Sequence, residues 1–202
     1  WVSHNPEVAE IDNNGIVTGI ASGNSSFTFI ESSTGCASDT LTSVYIFPKP
    51  EVSFVGSETL CQGLNTILTP ESGGLWFSES PSVATVSNSG IVTALGQGTT
   101  RFYFVSDSTG CVSNFTNYLL VNPKPSATLA GISNICVGLT TTLLPVSSGT
   151  WTSTNSSVAT VSSEGVVTGI SEGSARFIFT DGITGCNSDL TDMVAVHELP
   201  QI

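Results

Sequence analysis

The chain has 202 residues, of which 39% are hydrophobic and only 10% charged, and sixteen acids against four bases give a net charge of -12. Such a balance repels a polyanion, which excludes nucleic acid as a partner, and no apolar run long enough for a membrane-spanning helix is present, so no membrane insertion is expected in this segment. Ser, Thr, Asn and Gly fill much of the remainder, the composition of a hydroxyl-rich β surface whose acidity favours solubility and self-repulsion.

From the first residue the chain reads as short extended runs separated by turn residues, with no helical periodicity. The opening stretch carries Trp1, Asn5-Pro6-Glu7-Val8-Ala9, Gly15-Ile16-Val17-Thr18, Phe27-Thr28-Phe29 and Ser33-Thr34-Gly35-Cys36, and ends at Pro48-Lys49-Pro50. The same text then returns at a fixed interval of 75 residues: Trp76 and Trp151 follow Trp1, and Cys111 and Cys186 follow Cys36. Cys61 and Cys136 keep that interval too. Proline fixes its own φ and biases its predecessor toward extended geometry, so Pro48-Lys49-Pro50 and Pro123-Lys124-Pro125 read as short stiff linkers. Three units follow: a C-terminal part of one repeat over residues 1–50, a complete repeat over 51–125 and another over 126–202. With no Met or signal-like region at Trp1, the chain is expected to be a piece of a longer protein.

Within the middle unit, strands are expected near 51–55, 66–70, 75–78, 83–87, 91–95, 99–106 and 116–122. Seven short strands in so few residues point to an all-β, Ig-like sandwich repeated in tandem as an elongated rod. Period-2 alternation turns Phe102 and Phe104 to one face, with Leu119, Val121 and Trp76 beside them. Trp76, Trp151, Phe102, Phe104, Phe177 and Phe179 are therefore expected in the core rather than on a sugar-stacking surface.

Trp76-Phe77-Ser78, Pro81-Ser82-Val83-Ala84-Thr85-Val86, Gly90-Ile91-Val92-Thr93 and Gly96-Gln97-Gly98 together resemble the bacterial Ig-like group 2 repeat, and the likeness runs through essentially the whole chain. The Cys-x-Gly at Cys61, the Thr-Gly-Cys at Cys111 and the Pro-x-Pro linkers are similar to repeats of giant Bacteroidota surface proteins, including SprB-like gliding-motility adhesins. That resemblance implies export to the cell surface, by the type IX route, and a part in attachment or gliding.

Five cysteines leave two arrangements open. Pairing within units joins Cys61 to Cys111 and Cys136 to Cys186, orphaning Cys36. Against it, Cys61 and Cys111 are separated by five antiparallel traverses, an odd number, which puts them at opposite poles, whereas a disulfide needs Cα atoms within about 7 Å. Pairing between units joins Cys61 to Cys186 across the junction and is preferred; Cys36, Cys111 and Cys136 then take partners in neighbouring repeats. Zinc is not supported, because no Cys-x-x-Cys or Cys/His cluster exists and His4 and His197 do not recur. Calcium at the linkers is the one cofactor left open, near Glu51, Asp107 and Asp181, although no loop has calcium-ligand spacing.

No catalytic residue is expected. Gly169-Ile170-Ser171-Glu172-Gly173 has the letters of a nucleophile elbow but lacks its strand-turn-helix setting and a His-Asp pair. Glu7 with Glu10 and Asp189 with Asp192 do not recur between units and read as solvated charge. Short glycosylation patterns occur at Asp39-Thr40-Leu41, Asp107-Ser108-Thr109, Asn24-Ser25-Ser26, Asn114-Phe115-Thr116 and Asn155-Ser156-Ser157.

The reading that follows is a non-catalytic extracellular array whose units partner with adjacent repeats of the same kind. Each unit adds roughly 35 to 40 Å, from about eight strand residues at ~3.3 Å plus loops. Two alternatives accompany it: each unit binds a surface polysaccharide or solid surface weakly and avidity multiplies the effect, or the units space the domains of a secreted enzyme.

Overall fold

The computed structural model describes residues 1–200; the last two residues of the unit expected over 126–202 lie outside the described residues. The described residues contain strands, turns and loops and no helix. Short Val-, Ile-, Thr- and Phe-rich runs favour extended backbone, and Gly and Ser at their ends reverse the chain.

Between residues 51 and 125 two layers enclose the core, one a four-stranded sheet and the other a two-stranded and a three-stranded sheet side by side. One holds, in spatial order, Ala84–Val86, Ile91–Ala94, Asn65–Thr69 and Ser53–Phe54, all antiparallel neighbours. In the other, Gly74–Ser78 pairs with Phe102–Ser106, while Gly98–Thr100 pairs with Leu119–Asn122. Thr59–Cys61 then adds parallel to Leu119–Asn122, with Cys61 opposite Asn122. Trp76, Phe102, Phe104, Leu68, Val92, Leu119 and Val121 are all buried in one cluster between the sheets. Residues 126–200 repeat this pairing strand for strand, around Trp151, Phe177, Phe179, Leu143, Val167, Val194 and Val196.

The structure differs from the sequence reading in three places. The Thr59–Cys61 strand was not anticipated, and the run expected over 99–106 breaks at Arg101, so that nine strands stand where seven were counted. The break lets one chain segment serve two partners, the Leu119–Asn122 strand before Arg101 and the Gly74–Ser78 strand after it. The strand expected from 116 begins at Leu119, because Ser113 and Thr116 replace ladder bonds with their hydroxyls. Phe104 N–H donates to Ser113 Oγ (2.9 Å) and Phe102 N–H donates to Thr116 Oγ1 (3.1 Å). The Phe102 and Phe104 carbonyls in turn accept the Thr116 and Ser113 amides.

Residues 1–50 form three two-stranded pairs, Val2–Ser3 with Phe27–Thr28, Ala9–Ile11 with Val17–Gly19, and Gly23–Ser25 with Val44–Ile46. Val17 and Val44 are exposed where their counterparts Val92 and Leu119 are fully buried, because the strands that cover those counterparts have no equivalent here.

Candidate functional site

Two features of the surface stand out as places where chemistry or recognition can occur: the contacts between successive repeats, and an aromatic cluster on the outer face of the middle one. The first is built from two ends of the fold. Cys61 closes the parallel strand beside Leu119–Asn122, so it lies at the pole from which the chain leaves the middle repeat. There Gln62 N–H bonds the Asn122 carbonyl and Gly63 N–H bonds the Ala94 carbonyl, fixing a small shelf. The other end is a tight turn after Phe177–Asp181. Gly185 N–H reaches the Asp181 carbonyl (2.9 Å) and Asp181 N–H reaches the Cys186 carbonyl (2.9 Å).

The structure bonds Cys61 to Cys186, with Cα atoms 5.5 Å apart and a sequence separation of 125. Cys186 has no exposed surface. Cys61, Gln62, Leu64 and Lys124 on one side and Gly185, Asn187 and Ser188 on the other line a single crevice across the junction. Lys124 Nζ spans it to Asp189 Oδ1 at 2.6 Å. One repeat earlier the same two positions meet again, Lys49 Nζ donating to Asn114 Oδ1 at 3.3 Å. Cys36, Cys111 and Cys136 carry free thiols; Cys36 is exposed and the other two half-buried. Cys111 and Cys136 are not bonded to Cys61 or Cys186.

The second feature was not anticipated. On the outward face of the Gly74–Ser78 and Phe102–Ser106 strands, Phe77 stacks on Tyr103 with centroids 5.1 Å apart. Tyr103 meets Phe115 edge to face at 5.5 Å. The Arg101 guanidinium lies 4.1 Å over the Phe115 ring and 5.2 Å from that of Tyr118. Glu79 holds it there by a two-pronged ion pair of 2.9 and 3.0 Å, and this hydrogen bonding keeps the Glu79 carboxyl below its ordinary range. Both partners are solvated, so the pair orients Arg101 more than it stabilises the fold. The signal was present in the alternation, since Phe77 and Tyr103 sit next in sequence to buried Trp76, Phe102 and Phe104 and must face outward. The cluster is confined to the middle repeat: Thr152, Ile178, Leu190 and Met193 stand at its positions one repeat later.

Trp76 and Trp151 are buried, their indole N–H groups donating to the Pro70 and Pro145 carbonyls at 2.9 and 3.0 Å, and offer no stacking surface. Ser171 follows the Val166–Gly169 strand in a hairpin and donates its hydroxyl to the Ser157 carbonyl (2.9 Å), far from a nucleophile's setting. Asp181 is occupied by its own turn, accepting from Thr184 N, Thr184 Oγ1 and Ile183 N. Among the described residues no three His, Cys, Asp or Glu side chains gather as a metal site. Nor does any helix there have the length and apolarity to cross a membrane.

Residues 137–191 match the family model of the bacterial Ig-like domain (group 2). The chain is 26% identical over 223 residues to Ice-binding protein 1 of Shewanella frigidimarina (strain NCIMB 400), a match covering 95% of this chain and 24% of that protein. It thus spans about a quarter of the length of that relative. Among solved structures, invasin, a bacterial integrin-binding protein, is 13% identical with a TM-score of 0.42, covering 90% of this chain and 46% of that one. A Bacteroides ovatus glucan-utilisation protein, SGBP-B, solved with a mixed-linkage heptasaccharide, is 10% identical with a TM-score of 0.26, over 94% of this chain and 57% of that one.

Proposed function

We infer that this chain is a non-catalytic segment of a bacterial extracellular surface protein, in which repeats over 1–50, 51–125 and 126–202 extend the molecule away from the cell. The observation that carries this reading is the repetition of the junction. Lys49 with Asn114 and Lys124 with Asp189 span their linkers with equal spacing, and at the second linker the Cys61–Cys186 bond makes the connection covalent. A globular enzyme has no use for a linker contact copied from one unit to the next, whereas an extended array needs one at every joint. The group 2 Ig-like match supports a surface setting. The narrower assignment, to attachment or gliding by an adhesin of the SprB-like kind, rests on the cysteine turns and Pro-x-Pro linkers. Small-angle scattering tests the extension: an oxidised particle with a maximum dimension of roughly 100 Å is expected, from strand rise and loop length over the described repeats. A compact particle in which the repeats fold back on one another overturns it.

A second reading is favoured by the aromatic cluster. Phe77 stacks on Tyr103, Arg101 lies over Phe115 and Tyr118, and all four rings are partly exposed; rigid aromatic and Arg side chains are what binding surfaces enrich. On this reading the middle repeat itself attaches to a surface polysaccharide. Clustered chain on beads should bind a polysaccharide panel, and Phe77→Ala with Phe115→Ala should remove the binding while Thr152→Ala leaves it intact; no binding in clustered form confines the segment to extension.

A further inference from the structure

Where the first linker meets the middle repeat, Lys49, Pro50, Glu51 and Val52 on one side and Asn114 and Phe115 on the other line a crevice of about 440 Å³. That volume falls within the range of small-ligand sites, about 300 to 1,000 Å³. Lys49, Glu51 and Asn114 are all exposed there. Lys49 Nζ spends one of its N–H donors on Asn114 Oδ1, at 3.3 Å, and keeps the others for a ligand. The Asn114 amide nitrogen and the Glu51 carboxylate have no hydrogen-bond partner among the described residues, so the crevice offers both donors and an acceptor.

Phe115 belongs to this crevice and to the aromatic cluster at once. Its ring meets Tyr103 edge to face at 5.5 Å, and Tyr103 in turn stacks on Phe77 at 5.1 Å. Ring contacts thus run without a break from the outer sheet face to the crevice. The second linker lacks this combination. Leu190 stands there in place of Phe115 and Ser126 in place of Glu51, and the Lys124 amine is engaged by the Asp189 carboxylate at 2.6 Å. Charge narrows the class of ligand. The site's charged groups, Lys49 and Arg101 against Glu51 and Glu79, cancel in sign, while the whole chain carries -12. A polyanionic polysaccharide therefore gains little at the site and is repelled at range.

We propose that the linker crevice and the aromatic cluster are one binding site for a neutral, equatorially β-linked polysaccharide lying across the first linker. Sugar rings rest against the row formed by Phe77, Tyr103 and Phe115, and Lys49, Glu51 and Asn114 bond the hydroxyls of the next ring along. The chemistry of such a polymer matches both halves of the site. A pyranose with equatorial substituents turns its axial C–H bonds outward as an apolar ring face, which suits the negative face of an aromatic ring. Its rim of hydroxyls donates and accepts, as the crevice groups require. Equatorial β-linkage keeps the chain extended with its ring faces bare, whereas α-linkage coils it. Such binding presupposes that the aromatic cluster attaches the chain to polysaccharide, and it adds the ligand class and the share taken by the linker. Because the ligand touches both sides of the linker, its binding also holds the first two repeats at a fixed angle.

The test is NMR titration of the whole chain, which reads weak affinities, with cellobiose, cellohexaose, maltohexaose and hexagalacturonate. Cellohexaose is expected to bind most tightly, and the α-linked and acidic hexamers roughly ten-fold or more weaker. Lys49→Ala with Asn114→Ala removes one or two hydrogen bonds to the longer ligand and should lower cellohexaose affinity roughly ten-fold while leaving cellobiose binding unchanged. Lys124→Ala, at the second linker, should alter neither. Phe77→Ala with Phe115→Ala, checked for an unchanged amide spectrum away from the cluster, should abolish both. Binding that the Phe77 and Phe115 pair abolishes but the Lys49 and Asn114 pair leaves intact keeps attachment through the cluster and overturns the share of the linker. Preference for maltohexaose or hexagalacturonate overturns the ligand class. No binding of any of the four, by free chain or by chain clustered on beads, overturns the proposal, and attachment through the cluster falls with it only if the clustered chain also ignores the wider polysaccharide panel.

Discussion

Two side chains show how single residues hold the turns and edges of this fold. Thr116 is buried, accepts Phe102 N–H at 3.1 Å and donates to the Asn117 carbonyl at 2.8 Å, so its hydroxyl stands in for a missing ladder bond. Thr116→Val keeps the shape and removes the acceptor, leaving a buried amide unpaired, and should cost about 1 to 3 kcal/mol in urea unfolding. Thr116→Ser should recover most of it; equal stability of the two variants would mean that water replaces the hydroxyl. Asp181 acts on the turn that presents Cys186. Hydrogen bonds from the Thr184 backbone, the Thr184 hydroxyl and Ile183 hold its carboxyl below the ordinary aspartate range. A depressed folded value stabilises the turn above the unfolded value and is lost as pH falls through the folded one. The Ile183 and Thr184 amide resonances should accordingly shift with a midpoint below the ordinary aspartate value, and the shift should be absent in Asp181→Asn. A midpoint at the ordinary value refutes the capping role.

At the scale of strands, what the sequence made legible was the periodic part of the fold, and what it hid was the part set by pairing. Trp76, Phe102 and Phe104 alternate with polar or exposed neighbours, and alternation maps directly onto a buried face. Thr59–Cys61 has no such pattern: three residues are too few for a period, and the strand exists because the free edge of Leu119–Asn122 accepts it in parallel. The break at Arg101 was equally hidden, since nothing local says that one strand must divide between two partners. Of the candidate sites, the cysteine positions could be read from poles and traverses, whereas the Phe77, Tyr103 and Phe115 cluster needed cross-strand register as well as alternation. Gly74 is an element-scale requirement of another kind. A Cβ there would run into the Val105 carbonyl oxygen and the Phe104 ring, because the Gly74–Ser78 strand begins pressed against its partner. Gly74→Ala should lower the stability of the middle repeat by about 1 to 3 kcal/mol or more, read as a shifted urea midpoint. Gly35→Ala meets no neighbouring atom and should show only the smaller cost of its left-handed φ of 73°.

For the whole molecule the decisive quantity is the path that tension takes. A force applied at the two ends enters at residue 1, reaches Cys61, and crosses the sulfur bond to Cys186, bypassing the segment between, a sequence separation of 125. Most of both cores lies inside that bypass: Trp76, Phe102, Phe104 and Val121 of one, Trp151, Val167, Phe177 and Phe179 of the other. Ser53–Phe54 and Val194–His197 remain in the loaded path, so these flanking strands are the first to be peeled away. Extended chain spans about 3.3 Å per residue, so the protected segment represents roughly 400 Å of length that the oxidised molecule cannot release. Pulling by the termini should therefore show an extension smaller by about that amount in the oxidised chain than in the reduced chain or in Cys61→Ser with Cys186→Ser. Each core is a separate cluster that needs no sulfur bond to close, so the reduced chain should keep both unfolding steps and add the hidden length to them. Equal extension with and without reductant would place tension outside the Cys61–Cys186 bond and deprive the junction of its mechanical role.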